Sequence, residues 1–372
     1  MKRTLFWMTA SGLCTSALMA ISLGCGGASK AGHTTPNPAI TPKFLYVSNC
    51  AGGTSGGIGG YSVDATTGAL TALTGNPVAT GLDCPSWMGV NPAETFLFAP
   101  DLDTNKLYVY AIGATGALTA VTGSPYTQCG QQAAVDPSGK FLIVPDNCND
   151  NVAVYSIGAT GALTAVTGSP FSGTDLSSPD TVSIDPGGKW VYIAGHGAIH
   201  VFSLAATGAL AEATGSPVTA GNNTNEAFVT PNGKYIYANG GASSTPIMAF
   251  SVDTSTGALT ALSTPEYAGG SCWIAPDANS AVIFSTDCDG NLYSSAIGAD
   301  GTLTAATGSP LAVSGFPYAI SGDPSGKFFY AGEDESSAAI DGYSYTSDGV
   351  LTAITGSPFG TGAYMYGMVV TH

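Results

Sequence analysis

Arginine is almost absent from this chain of 372 residues: Arg3 is the only one, and Lys and Arg together number 9 against 25 Asp and Glu. Bidentate recognition of phosphate or carboxylate favours arginine, and binding to a phosphate backbone needs basic patches. The net charge of −16 therefore excludes nucleic acid as a partner and disfavours anionic ligands. Histidine is scarce too, at 4 residues, and the chain has no G-x-S-x-G elbow or phosphate-binding glycine loop. In place of charge stand 44% hydrophobic residues, 51 glycines and 22 prolines. Such a composition supplies a core, which disordered chains lack. Its apolar runs, punctuated by Gly and Pro, point to an all-β protein.

The N-terminus reads as an export signal over residues 1–24. Lys2 and Arg3 form a basic start, and Leu5 to Leu23 is an uncharged apolar run. Its end, "SLGC" (Ser22 to Cys25), resembles the lipobox of bacterial lipoproteins, with Ser22 where that pattern has Leu. Lipidation at Cys25 and attachment to the cell envelope are expected; ordinary cleavage or an uncleaved anchor are the alternatives. Residues 25–42 then read as a flexible tether without apolar periodicity.

From residue 43 onward a phrase recurs. "GATGALTAVTGSP" stands at 113–125 and again at 158–170. Variants begin at Gly68, Gly116, Gly161, Gly208, Gly257, Gly301 and Gly349, at steps of 44–49 residues. A period in the forties in a β-rich chain is the mark of four-stranded propeller blades. Each unit divides into strands A to D, as in "SWMGVNP", "TFLFAPD", "KLYVYAIG" and "ALTAVTG" of the second. The A–B turn is clearest in "DPSGK" at Asp136 and Asp323 and "DPGGK" at Asp185, where Pro presets φ and Gly supplies positive φ. The glycine of "TGAL" turns C into D. Along strand A, Met88 and Val90, or Val182 and Ile184, alternate inward. The repeats begin with a B strand at "KFLYVSN" and finish with an A strand at "AYMYGMVVTH". Their pairing closes a seven-bladed β-propeller over residues 43–372 and removes its open edges.

The succession of "P-x-G-K-F-L", "VYSI" and "TGALT…GSPF" resembles the lactonase-type, 6-phosphogluconolactonase-like seven-bladed propellers. That resemblance implies hydrolysis of a sugar lactone. The shared phrases fall on turns and outer strands, so no catalytic residue of the family carries over.

The D–A and B–C connections share one face of such a ring. That face collects the acids Asp83, Asp101, Asp103, Asp146, Asp150, Asp175, Asp180, Glu226, Glu266, Asp287, Asp289, Glu333, Asp334 and Glu335, opposed by Lys106 alone. Lys140, Lys189, Lys234 and Lys327 fall on the other face. An acidic rim favours cationic or neutral partners, and a phosphorylated lactone is poorly served. In "DLDTN" at Asp101, "DCDGN" at Asp287 and "DNCNDN" at Asp146, clustered oxygens suit Ca²⁺. Asp and Asn closing hairpins explain the same pattern, and no metal is required. Ile112 and Gly298 stand where an EF-hand has Glu.

Six cysteines remain beyond Cys14 and Cys25. The blade parse pairs Cys129 with Cys148 and Cys272 with Cys288, leaving Cys50 with Cys84 on adjacent blades. Export makes disulfides the expectation, and the spacings fit no Cys-x-x-Cys metal site. Among histidines, His196 in "GHGAIH" is a candidate general base oriented by Asp175 or Asp180, or simply a turn residue. Trp87, Trp273, Phe316 and Tyr318, near the starts of A strands, offer apolar contact or core packing. The leading expectation is a monomeric, lipid-anchored propeller that binds an envelope ligand or protein through its acidic face with little or no catalysis. The alternative is an extracytoplasmic hydrolase of a neutral lactone; a third is a purely structural envelope protein.

Overall fold

A computed structural model describes residues 43–50, 56–221, 224–239, 246–267, 269–270, 272–287, 289–313, 315–334, 339–360 and 364–372. The proposed signal, tether and lipidation site lie outside these residues. The described chain holds strands and turns without helices, arranged as seven antiparallel sheets. The protein is a seven-bladed β-propeller. Closure occurs as the sequence implies: Phe44–Asn49 pairs with Met365–Val370, bringing Leu45 opposite Val370 and Val47 opposite Met368. No blade edge is left open at the junction of the termini.

The repeated phrase is the outer edge of each blade. Its "LTA" forms the three-residue outer strands Leu70–Ala72, Leu118–Ala120, Leu163–Ala165, Leu303–Ala305 and Leu351–Ala353. After "TGSP" the chain turns through a cis proline and pairs a second time with strand C, as Tyr126–Thr127 does beside Lys106–Ile112. This return was not legible in the repeat. Blade five departs from the pattern: "GALTALSTPE" lacks the Gly-Ser-Pro turn, and Leu259–Tyr267 runs on as one bulged strand.

Two recurrent polar devices hold the turns. Asp136 accepts the amides of Ser138, Lys140 and Phe141 at 3.0, 2.8 and 2.7 Å, and Asp323 does the same for Ser325, Lys327 and Phe328. Ser124 and Ser169, of the "GSP" turns, accept the amides of Val109 and Val154 at 2.9 Å. The glycine of "TGAL" does more than turn. Gly161 has φ +83°, and a Cβ there would lie 2.6 Å from the Phe96 ring of the preceding blade. The same clasp joins Gly116 to Phe44, Gly208 to Phe141 and, across the closure, Gly68 to Phe328.

Apolar side chains pack between neighbouring blades. Met88 and Val90 join one such cluster and Val182 and Ile184 another. The bridges Cys50–Cys84 and Cys129–Cys148 form as the blade parse requires. Cys272 is also disulfide-bonded; Cys288, its expected partner, lies outside the described residues.

Candidate functional site at the channel mouth

Strand A begins on the face shared by the D–A and B–C connections, so the first residues of the inner strands ring one mouth of the central channel. The short inner strands Gly89–Val90, Ala134–Val135 and Ala227–Val229 leave the residues just before them free to carry site chemistry. The mouth is divided in two. Blades six, seven, one and two supply aromatic rings: Trp87 meets Trp273 edge-on at 4.5 Å, Trp273 meets Tyr318 at 4.3 Å, and Tyr318 meets Tyr366 at 4.8 Å. Phe316, 49% exposed, stands beside them in sequence at the rim.

Blades three, four and five supply polar groups. Asp180, in the inner strand Pro179–Ile184, accepts a 2.6 Å hydrogen bond from the Gln131 side-chain amide, with the Asn147 side chain close enough to favour its charged form. Burial pushes its carboxyl up to about 6, against the opposing pull of Asn147 and of charge on His196. Glu226 is fully buried. Its Oε2 accepts from Asn239 Nδ2 at 3.0 Å and from the Ile274 amide at 2.8 Å. Burial first, and the charge of Asp180 after it, hold the Glu226 carboxyl well above the usual range, which favours its uncharged form. Beneath the rings, a cavity of about 210 Å³ follows the inner strands, lined by Trp87, Gln132, Glu226, Phe228, Trp273 and Tyr318 among others.

The sequence-derived candidates distribute unevenly around this mouth. His196 sits exposed at φ +50° beside Gly197 at φ +90°, in the two-residue turn between the paired residues Gly195 and Ala198. Positive φ at both positions suits a tight hairpin. Of the two acids expected to orient it, Asp180 lies within its electrostatic reach. Asp175 acts instead on His200, a buried residue 3.3 Å from Glu212. Most of the loop acids are taken up by donors of their own hairpins or of a neighbouring D–A loop. Asp101 accepts the amides of Asp83 at 2.8 Å and Thr104 at 3.1 Å. Asp146 takes Gln128 Nε2 at 3.0 Å and the Asn149 amide at 3.1 Å. Asp287 takes the amides of Asp289 and Asn291 at 2.8 and 3.0 Å, and these and further hydrogen bonds lower its carboxyl despite the burial that opposes them. Asp150, itself exposed, accepts the Ser178 amide at 2.7 Å. Asp103 and Asp289 are exposed. Glu333 is buried and accepts the Ala339 amide at 3.1 Å, while Glu335 lies outside the described residues. Cys129, Asp146 and Cys148 lie together, but the two sulfurs are joined to each other.

Sequence reasoning does not single out Gln131, Asn239 or Tyr366, and reaches Asn147 only as part of "DNCNDN". They belong to no repeated phrase; their one signal is their position just before or at the start of an inner strand, or in a B–C loop.

Fold and site together define a seven-bladed propeller with an acid-and-aromatic channel mouth. Its sequence resemblance to the lactonase propellers holds: residues 44–131 match the family described as "Lactonase, 7-bladed beta-propeller". No curated protein matches the chain. Among solved structures, a periplasmic gluconolactonase of Pseudomonas aeruginosa superposes with a TM-score of 0.71 at 18% identity, covering 89% of this chain and 99% of its own. A Bacteroides fragilis protein proposed to be a 6-phosphogluconolactonase gives 0.74 at 17% identity, over 91% of this chain and 100% of its own. A Bacteroides uniformis protein of the same proposed activity gives 0.74 at 18% identity, over 89% and 100%. At these identities the likeness is one of fold.

Proposed function

We propose that this propeller hydrolyses an uncharged sugar lactone at its channel mouth, outside the cytoplasm, rather than acting as a binding module alone. The observation that supports this most is Asp180. It is a carboxyl raised to about 6, held by the Gln131 side-chain amide and within electrostatic reach of Tyr318 in the aromatic wall, on which a sugar ring can stack. A general base works best with a pKa near the operating pH. Asp180 takes one proton of a water molecule as the water oxygen bonds to the lactone carbonyl carbon, and the carbonyl electron pair moves onto its oxygen. When that pair returns, the ring C–O bond breaks and the ring oxygen leaves with the proton from Asp180. The product is the open hydroxy acid. His196, in the B–C turn of the same blade, favours the charged form of Asp180.

The choice of an uncharged substrate follows from the missing cations. The described residues contain no arginine, and Lys140, Lys189, Lys234 and Lys327 lie at or just after the A–B turns of the opposite face. A phosphate brought to this acidic mouth would lose its hydration without a clamp. The disulfides fit an oxidising compartment. Initial rates on glucono-1,5-lactone and on its 6-phosphate, corrected for spontaneous opening, test the reading. At least tenfold preference in kcat/KM for the uncharged lactone is expected; preference for the phosphate would refute it.

A further inference from the structure

Two groups in the channel remain without a use in the scheme above. Glu226 Oε2 is engaged by Asn239 and by the Ile274 amide, while Oε1 has no hydrogen-bond partner among the described residues of a side chain that lines the cavity. Trp273, one residue before Ile274 and only 7% exposed, lines the same cavity. Its buried indole Nε1–H has no hydrogen-bond partner among the described residues. A buried donor left unpaired costs about 1–3 kcal/mol, so such a group is conspicuous in a cavity wall. The Ile274 amide fixes the Glu226 carboxyl against the strand that carries Trp273. The remaining lining near them is apolar or neutral: Met88, Phe228, Ile320, Met368 and Gln132.

We infer that Glu226 and Trp273 form a two-donor site that grips one uncharged oxygen of the ligand, the carbonyl oxygen of a lactone or of its lactam analogue. With Oε2 held by Asn239 and Ile274 and burial favouring the uncharged acid, the protonated Glu226 donates through the oxygen that the chain leaves unused; Asp180 and Tyr318 are its titratable neighbours. With the indole N–H it supplies two donors to one acceptor. That arrangement accepts a carbonyl, strengthens as negative charge develops on it, and rejects a carboxylate product poorly paired with a buried acid. This inference rests on the lactone reading for its substrate and extends it by naming the groups that hold the reacting oxygen.

The test measures binding rather than turnover, by isothermal titration of the mature protein with gluconolactam, which cannot be opened in the same way. In Glu226→Gln the amide oxygen keeps the contacts to Asn239 and Ile274 and the amide nitrogen still donates, so binding within about threefold of wild type is expected. Glu226→Leu and Trp273→Phe each lose a donor and are expected to weaken binding about tenfold or more, in line with one lost hydrogen bond. Thermal melts of each variant confirm folding. Wild-type binding that survives unchanged in both Trp273→Phe and Glu226→Leu overturns the donor pair while leaving the lactone reading intact. Absence of lactam binding together with absence of lactone turnover in the wild type overturns both.

Discussion

Three carboxyl groups differ in fate because their surroundings differ. Asp287 is surrounded by donors that stabilise charge, and its carboxyl is lowered. Asp180 and Asp341 are pushed up to about 6, chiefly by burial. At Asp341 the nearby carboxyl of Glu333 adds to that effect, and the Ser357 side chain opposes it. The sign for stability follows from linkage. The folded pKa of Asp341 exceeds its ordinary 3.8, so its contribution is fully present below that value and is lost as pH rises through about 6. Asp341→Asn is therefore expected to be neutral near pH 4 and to stabilise by about 1 kcal/mol at pH 7.5, a figure discounted for partial exposure. Thermal or urea unfolding at the two pH values checks it. A variant less stable than wild type at pH 7.5 would show that Asp341 makes contacts worth more than its buried charge costs.

At the scale of the strand, what repeats is what could be read. The phrase "TGALTAVTGSP" combines a glycine turn, an outer strand and a serine that receives an amide from strand C. Its sameness reflects a packing rule, since the turn glycine lies under an aromatic ring of the preceding blade at every copy except Gly349, which faces Ala306 and Val282. Gly161→Ala places a side chain at φ +83° and within 2.6 Å of Phe96. Backbone strain and overpacking together are expected to cost about 2–4 kcal/mol, measurable as a lower urea midpoint. An unchanged midpoint would mean that the blades do not clasp through this turn. The site was harder to read for the opposite reason. Gln131 and Glu226 precede inner strands of two and three residues, too short for an alternating pattern to announce them. The acidity of this face was legible from the loop sorting, but the sequence does not distinguish Asp101, engaged by the amides of Asp83 and Thr104, from Asp180, poised at the mouth. Burial and hydrogen-bond donors, set by tertiary packing, make that distinction.

The whole ring is needed to make the site. Gln131 and Asn147 come from blade three, Asp180 from blade four and Glu226 from blade five, while the aromatic wall comes from blades six, seven, one and two. Pairing of Phe44–Asn49 with Met365–Val370 completes the circle that brings Tyr366 against Tyr318. The scarcity of arginine acts at this scale as well: with the lysines near the far turns, nothing cationic among the described residues opposes the acids around the mouth except Lys106 and the histidines. A neutral ring substrate, an aromatic platform and a base near neutrality form one consistent description. Its most direct test is the pH dependence of glucono-1,5-lactone hydrolysis, pH 4 to 8, for wild type and Asp180→Asn. The base must be deprotonated to act, so wild-type kcat/KM is expected to rise about tenfold per unit below about 6 and to level off above it. Asp180→Asn is expected to be flat and about 10²-fold or more below the wild-type plateau reached above pH 6. A variant that turns over the lactone at the wild-type rate, with the same profile, would contradict the account.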